Sequence, residues 1–294
     1  MSKKSLAYIK VTFAVVVWGA SFIATKVALQ EMSPSAVIWM RFGIGVLILG
    51  AANALNGIFS LPDKKELPYF LLLGFLGIAF HQWLQSTGLV TAQASTTAWI
   101  VATTPIFMAL LGRFVLRETL SRMQVLGIVL ATFGVLLVVS KGDFTSLSVG
   151  NFGTPGDILI LISAANWAVF SALSKRGLKK YPASWMLFYV MGFGWLLLSA
   201  LFFAGDGLAE IKQLSLSGWS AVGFLGIACS GLAYIFWYDG LQSIPSSQVG
   251  TFLYLEPLVA VVVASVILSE AILLVSVLGG ATILLGVWLV NRET

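Results

Sequence analysis

A carboxylate and a proline lie side by side in the middle of an apolar stretch. Residues 251–261 read "TFLYLEPLVAV", in which Glu256 precedes Pro257. Ionisable groups within a bilayer are expensive and usually face a protein interior or water. We therefore expect Glu256 to face a central cavity, where a carboxylate can bind a substrate amine or carry a coupling proton. The alternative is a structural glutamate that is bonded to a neighbouring helix.

Three other ionisable residues also lie within apolar runs. Lys26 either extends its ammonium group to the membrane surface or contacts an anion. Arg41 carries a guanidinium that pairs bidentately with carboxylates, either inside the protein or on a substrate. His81, in "AFHQWLQSTG", either relays protons or is a neutral, hydrogen-bonded histidine. Since His81 is the one histidine and Cys229 the one cysteine, we expect no metal site, no disulfide and no cofactor.

Two tryptophans, Trp18 and Trp167, lie in the middle of apolar runs rather than at their ends. An indole N–H that is buried at this depth needs a hydrogen-bond partner. Aromatic rings hold ammonium groups by cation–π contact, so these two residues are candidates for a substrate cavity that suits aromatic or hydrophobic amino acids. Simple packing is the alternative. Five more aromatic residues can add to the same wall: Trp83, Trp99, Tyr234, Trp237 and Tyr238.

The composition is that of a multi-pass membrane protein. Of the 294 residues, 59 % are hydrophobic and 10 % are charged, whereas soluble domains carry about 25 % charged residues. A spanning helix needs about 20 mostly apolar residues. That criterion predicts an all-α fold with ten transmembrane helices, at 8–29, 35–55, 68–88, 95–116, 122–140, 156–175, 183–204, 217–238, 246–268 and 272–291.

The basic residues orient these ten spans. With the N-terminus placed inside, 13 of the 17 lysines and arginines lie in inner segments, and the outer loops hold only Lys141 and Lys212. An excess of positive charge marks the cytoplasmic side. We therefore expect both termini in the cytoplasm and the protein in the inner membrane. The basic balance needs no nucleic-acid partner.

The two halves of the chain repeat each other. The stretch at 15–29 resembles the one at 162–178, with Trp18 and Lys26 aligned to Trp167 and Lys175 at an offset of 149, and "FLGIA" at 75–79 recurs at 224–228 with the same offset. After an insertion of three residues the offset is 152, which aligns Pro105 with Pro257 and Thr104 with Glu256. The halves, 1–145 and 150–294, contain five spans each. An odd number inverts the second copy, and inverted repeats around a central site are typical of transporters.

Several motifs resemble the EamA family of the drug/metabolite transporter superfamily. They are "WGASFIATKVAL", "RFGIGVLIL", the proline-bearing fourth span, and "LRETLSRMQVLGIVLATFGVLLV" with its echo "LSEAILLVSVLGGATILLGVWLV". The resemblance covers the whole chain, once per half. It implies ten helices around a central cavity and transport of amino acids or other small metabolites.

The repeated prolines and glycines carry structural expectations. Pro105 and Pro257 each free the carbonyl four residues earlier, so both helices are expected to kink, either as hinges or as static bends. Two glycine pairs, seven residues apart in each half, are expected to pack closely inside the repeat or at a dimer seam: Gly127 with Gly134, and Gly279 with Gly286. Glu118 and Glu270 are expected to cap helices.

The leading interpretation is a secondary transporter that works by alternating access, with amino-acid export as the favoured case. Its partners are then a small-molecule substrate and the lipid bilayer, and a chain with two complete halves suits a monomer or a weak homodimer. The sequence has no nucleotide-binding GxxxxGK[ST] loop. One alternative is a small-molecule channel. The other is a membrane-embedded enzyme, but we expect no enzyme because HExxH, clustered acidic ligands and a Ser/His/Asp set are absent from the sequence.

Overall fold

The computed structural model describes residues 3–115, 120–143, 153–243, 249 and 252–291, and every regular element among them is helical. The elements of the first half of the chain are α1 (Lys3–Ala28), α2 (Pro34–Leu55), a 3₁₀ turn (Lys64–Glu66), α3 (Leu67–Gly74), a π-helical segment (Phe75–Phe80), α4 (His81–Thr91), α5 (Ala94–Val101), α6 (Thr104–Val115) and α7 (Arg122–Ser140). Those of the second half are α8 (Pro155–Leu178), α9 (Ala183–Ala204), α10 (Gly207–Lys212), α11 (Leu216–Gly223), a second π-helical segment (Phe224–Leu232), α12 (Ala233–Ser243), α13 (Leu255–Ile267) and α14 (Leu274–Asn291).

The all-helical prediction is confirmed for the described residues. Eight helices there, some joined from several elements, are long and apolar enough to cross a membrane, and they coincide with the first eight predicted spans. The last two predicted spans contain shorter apolar helices, Leu255–Ile267 and Leu274–Val290. Part of the ninth predicted span, like Glu118, lies outside the described residues.

Two π-helical segments interrupt the helices that carry the repeated "FLGIA". The first has six residues and the second nine. The difference of three equals the change of offset between the halves. A side chain from the packing helix donates to a carbonyl of each segment: Asn166 Nδ2 to Leu76 O at 2.7 Å, and Trp18 Nε1 to Cys229 O at 3.1 Å. π-turns of this kind are frequent at functional sites.

The two prolines mark breaks rather than the kinks predicted from the sequence. A turn at residues 102–103 separates α5 from α6, and another at 253–254 precedes α13, so each proline lies in the first turn of a new helix. That position tolerates the missing N–H. The Thr104 hydroxyl donates to Val101 O at 2.7 Å, and the Glu256 N–H donates to Leu253 O at 3.1 Å. Because these local groups satisfy the freed carbonyls, the chain can turn instead of bending smoothly.

The four repeated glycines lie on one seam, where α7 packs against α14. A Cβ on Gly127 would stand 2.5 Å from the carbonyl oxygen of Gly286, and one on Gly134 would stand 2.6 Å from that of Gly279. The order of contacts is reversed along the two helices, so they run antiparallel. The predicted close packing is therefore present, but it lies between the two halves of one chain rather than inside a repeat or at a dimer seam.

Polar contacts among connecting segments and helix ends define two ends of the helix bundle. The outer end, which the charge distribution predicts to face outside, joins the pairs Glu31–Ser215, Ser33–Glu210 and Glu270–Ser95. The inner end joins Lys10 with Asp239, and Glu66 with Arg176 and Lys180. Consecutive connections thus alternate between the ends, as a bundle of up-and-down helices requires.

Candidate functional site

Arg41 lies near the middle of α2 and is 6 % exposed. Its Nε donates to Ser230 Oγ at 3.1 Å, and its Nη1 donates to Gln82 Oε1 at 3.4 Å. The guanidinium carbon also stands 4.9 Å from the ring centre of Phe42. Among the described residues, no carboxylate forms a salt bridge with Arg41. From the sequence, Arg41 is expected to pair with a carboxylate either inside the protein or on a substrate. The internal partners that the structure shows are uncharged.

His81 stands beside Gln82, at the point where the first π-helical segment passes into α4. It is buried, with Nδ1 3.2 Å from the carbonyl oxygen of Ser163 on α8. Because a carbonyl only accepts, Nδ1 carries a proton and Nε2 is left for another partner. The ring centre of His81 is 4.7 Å from that of Trp167, which in turn contacts Phe170 at 4.9 Å.

Trp18 is the centre of a second aromatic group. Its ring lies 5.4 Å from Tyr234 and 5.2 Å from Trp237, both on α12. The indole N–H has the partner that its depth requires, the carbonyl of Cys229 in the second π-helical segment. Two of the other predicted aromatics lie elsewhere: Trp99 is buried against Gly280, and Trp83 is exposed.

Glu256 is in the first turn of α13, where its helix crosses α1. A Cβ on Gly19 would stand 2.7 Å from the Glu256 carbonyl oxygen, so the α13 backbone packs closely against α1 at the residue that follows Trp18. The Glu256 side chain is half-buried and forms no hydrogen bond or salt bridge with the described residues. Glu256 thus lies at the crossing of α13 with α1, the helix that carries Trp18.

Two predicted site residues have partners elsewhere. The Lys26 ammonium group donates to the carbonyl of Ala92, close to the outer end, and forms no salt bridge with the described residues. The Thr104 hydroxyl binds its own helix turn at Val101. Neither contact connects these residues to Arg41 or Glu256.

Sequence reasoning missed Gln82 and Ser230, the two side chains that hold Arg41. Both are common polar residues in apolar surroundings, and their meeting depends on packing between distant elements. For Ser230, the sequence contained one indication. The offset between the halves changes from 149 to 152 just after "FLGIA", which marks an irregular segment there, and Ser230 lies in that segment, the longer of the two π-helical ones.

Outside the spans, hydrogen bonds and ion pairs shift the pKa values of charged residues at the two ends of the bundle. The hydroxyl and N–H of Ser215 donate to the Glu31 carboxylate at 2.6 and 2.7 Å, and they hold the pKa of Glu31 below its ordinary 4.5. At the inner end, the Glu66 carboxylate lies 2.8 Å from Lys180 Nζ and raises the pKa of that lysine.

A cavity of about 480 Å³ opens at the inner end, lined by residues 58, 60–63, 180–182 and 185. None of the predicted site residues lines it. Among the described residues, no three His, Cys, Asp or Glu side chains are grouped so that they could hold a metal ion.

Comparison with known proteins gives a consistent result along the whole chain. The model of the EamA-like transporter family matches twice, at residues 5–140 and 154–292. An uncharacterized transporter of Archaeoglobus fulgidus is 27 % identical over 97 % of this chain and 99 % of its own length. The uncharacterized transporter YyaM of Bacillus subtilis is 26 % identical, covering 92 % of this chain and 88 % of its own.

Two further relatives are informative. A probable terminal-alkyne amino-acid exporter of Streptantibioticus cattleyicolor is 27 % identical, over 99 % of this chain and 95 % of its own length. A solved crystal structure superposes with a TM-score of 0.64 at 21 % identity, covering 98 % of this chain and 97 % of that one. At that identity the likeness shows the fold alone.

Proposed function

The chain belongs to the EamA-like transporter family, and from that premise we propose that it is a secondary transporter that exports amino acids by alternating access. Family membership and the many apolar helices make it a multi-pass membrane protein of a family that transports small molecules. The finer assignment, to amino acids with aromatic or hydrophobic side chains, is supported by the aromatic group around Trp18. The relative that is named a probable amino-acid exporter points in the same direction.

The proposed architecture has ten spans, arranged as two inverted five-helix repeats at 1–145 and 150–294, with both termini in the cytoplasm. Three observations support it. The family model matches once in each half. The equivalent helices α7 and α14 pack antiparallel through equivalent glycines. Each half carries a π-helical segment at its "FLGIA" and a helix break at its proline. Discontinuous helices at the interface of inverted repeats are typical of transporter binding sites.

The observation that carries the proposed function is the half-buried Glu256 carboxylate, which has no hydrogen-bond or salt-bridge partner among the described residues and belongs to the first turn of α13, where that helix packs against α1, the helix of Trp18. In the proposed mechanism it binds the cargo ammonium group or carries the coupling proton. Trp18 and Trp167 form the aromatic walls, and Arg41 and His81 complete the polar lining between them. Lys26 and Thr104 line the route to the site, and the breaks at Pro105 and Pro257 act as hinges.

Counterflow in liposomes tests this proposal. The purified protein is reconstituted, loaded with one unlabelled amino acid, and offered the same amino acid in labelled form; the experiment is repeated across aromatic, aliphatic and polar members. We expect saturable accumulation above equilibrium for at least one of the aromatic or large aliphatic amino acids. Non-saturable flux near ion-channel rates would indicate a channel, and a chemically altered product would indicate an enzyme. Either outcome would reject the carrier mechanism.

A further inference from the structure

Arg41 has binding capacity that no described part of the protein uses. We propose that its guanidinium binds a carboxylate of the cargo, and that the transporter therefore selects carboxylated solutes. The inference rests on the proposed function, because it assigns one role within the same central site. It goes further by naming the chemical group that a substrate must carry.

The surroundings of Arg41 leave it without a counter-charge. A guanidinium has five N–H donors and stays charged in proteins. Arg41 uses two of these donors in hydrogen bonds to the neutral oxygens of Ser230 and Gln82. Its Nη2 makes no hydrogen bond with the described residues, although the side chain is 6 % exposed. A buried charge is destabilising unless it is paired. The position therefore suits an anion that arrives and leaves.

The other half of the chain shows that packing does not require a charge here. At the offset of 149, Gly45 corresponds to Gly194, and Arg41, four residues earlier, corresponds to Val190. A Cβ on Gly45 would stand 2.8 Å from the Ser230 Cβ, while one on Gly194 would stand 2.4 Å from the Ile78 Cβ. The same close helix contact is thus built from apolar Val190 and Ile78 in one half.

The same contact is polar in the other half, where Arg41 and Ser230 take those places. Both Val190 and Ile78 are fully or almost fully buried, so the scaffold is stable with an apolar pair at this crossing. A buried arginine is less stabilising than a valine that packs well at the equivalent place, so we infer that arginine is present here because it binds. Ser230 is fully buried and fixes the guanidinium through Nε.

The position of Arg41 suits the carboxylate of a transported solute. Arg41 lies about 5 Å from the midpoint of α2, given a rise of 1.5 Å per residue. Arginine holds carboxylates through two parallel hydrogen bonds. Ser230, which accepts from Arg41 Nε, follows Cys229, whose carbonyl accepts from the Trp18 indole. A carboxylate held by Arg41 therefore lies near the aromatic group of Trp18, Tyr234 and Trp237.

Three probes test the inference on the unaltered protein: phenylalanine, phenylalaninamide and phenethylamine. All three share the ring and the amine, but only the first has a carboxylate. Hydrogen bonds to charged groups correspond to roughly a 10- to 100-fold difference in affinity. We therefore expect phenylalanine to compete in counterflow at concentrations at least about tenfold lower than the other two. Equal competition by the amide or the amine would overturn the role of Arg41 while leaving the carrier intact.

The Arg41→Gln variant then assigns the discrimination to this residue. We expect the preference for phenylalanine over phenylalaninamide to disappear, with the amide competing as it does in the parent protein, and Arg41→Lys to restore part of the preference. Arg122→Gln is the matched control, since Arg122 is an exposed arginine at the start of α7. A preference that survives Arg41→Gln would reject the inference. If no amino acid is exchanged even by the parent protein, the proposed function itself fails, and the carboxylate site falls with it.

Discussion

The two charges at the centre of the molecule stand where the other half of the chain has uncharged residues. Glu256 corresponds to Thr104 and Arg41 to Val190. Thr104 closes its own helix turn, and Val190 fills the core. The prolines and glycines are shared by both halves, whereas these two side chains differ, and in the proposed function they serve binding rather than folding. Loss of either charge should therefore affect transport more than stability.

Glu256→Gln tests this separation. The amide has nearly the same size, and no described residue depends on the carboxylate for a hydrogen bond, so we expect folding to be intact. Transport should be abolished, or it should lose its dependence on an imposed pH gradient, because glutamine neither binds ammonium as an ion nor exchanges a proton. The measurement is counterflow and gradient-driven uptake in liposomes, with thermal unfolding in detergent as the check on folding.

Asp206→Asn is the control for that experiment, because Asp206 is an exposed acidic residue in the connection after α9. It should leave both uptake and unfolding unchanged. Normal transport by Glu256→Gln with an unaltered pH profile would exclude the carboxylate from binding and coupling. A large fall in unfolding temperature would instead support the structural glutamate that the sequence left as the alternative.

At the scale of helices, hydropathy predicted where the spans lie but not how they are interrupted. A run of apolar residues of the right length is sufficient to locate α2 or α9. By contrast, a π-turn does not change the hydropathy of "FLGIA". The break before α6 depends on the Thr103 and Thr104 hydroxyls binding the carbonyls of Ile100 and Val101. Such local hydrogen bonds decide between a kink and a turn, and composition does not reveal them.

A polar contact at the outer end holds α13 against α5. The Glu270 carboxylate, just beyond α13, accepts hydrogen bonds from the N–H groups of Ala94 and Ser95 and from the Ser95 hydroxyl, at 2.9, 3.2 and 2.6 Å. The capping role expected for Glu270 thus connects α13 with the start of α5. Below it, an apolar cluster that includes Phe22, Ala98 and Ala260 joins α1, α5 and α13. The α6 helix packs instead on α8 and α14.

We predict that Glu270→Gln weakens this contact. Hydrogen bonds to a charged group contribute about 1.5–3 kcal/mol, and a factor of ten corresponds to about 1.4 kcal/mol. Ala98 is 2 % exposed while the contact is present. In a Cys229→Ala background, an Ala98→Cys substitution should therefore react at least about tenfold faster with a membrane-impermeant maleimide, added from outside, once Glu270 is replaced.

Glu31→Gln provides the matched control. Glu31 is also an outer-end glutamate that accepts from a serine hydroxyl and N–H, but it joins the end of α1 to α11 rather than α5 to α13. It should leave the labelling rate of Ala98→Cys unchanged. Equal acceleration by both variants would mean that general loosening, not the Glu270 contact, controls access.

For the whole molecule, the repeat in the sequence indicates which positions of the two halves are equivalent, but it does not indicate which of them are in contact. Gly134 and Gly286 are equivalent at the offset of 152. A Cβ on Gly134 would meet the Gly279 carbonyl at 2.6 Å, and one on Gly286 would meet the Gly127 carbonyl at 2.5 Å. The sequence left packing inside the repeat and a dimer seam open, because spacing alone does not say which helix a glycine face meets.

If the seam between α7 and α14 has two-fold symmetry, equivalent substitutions should have equal effects. Gly134→Ala and Gly286→Ala each push a methyl group against backbone that cannot move aside as a flexible side chain would. Overpacking of this kind typically costs about 1–3 kcal/mol. We expect both variants to unfold in detergent at lower temperatures than the parent, by amounts that agree with each other. The double variant should lose less than the sum, because the first substitution has already separated the helices.

Gly192→Ala separates this crowding from a general effect of glycine replacement. Gly192 lies within α9, and a Cβ there would have nothing within 4 Å. Alanine favours a helix over glycine by up to about 1 kcal/mol, so this variant should match or exceed the stability of the parent. Unequal losses at Gly134 and Gly286 would contradict a symmetric seam. Equal losses that vanish on dilution of the protein would place the contact between two copies, because an interface within one chain does not depend on concentration.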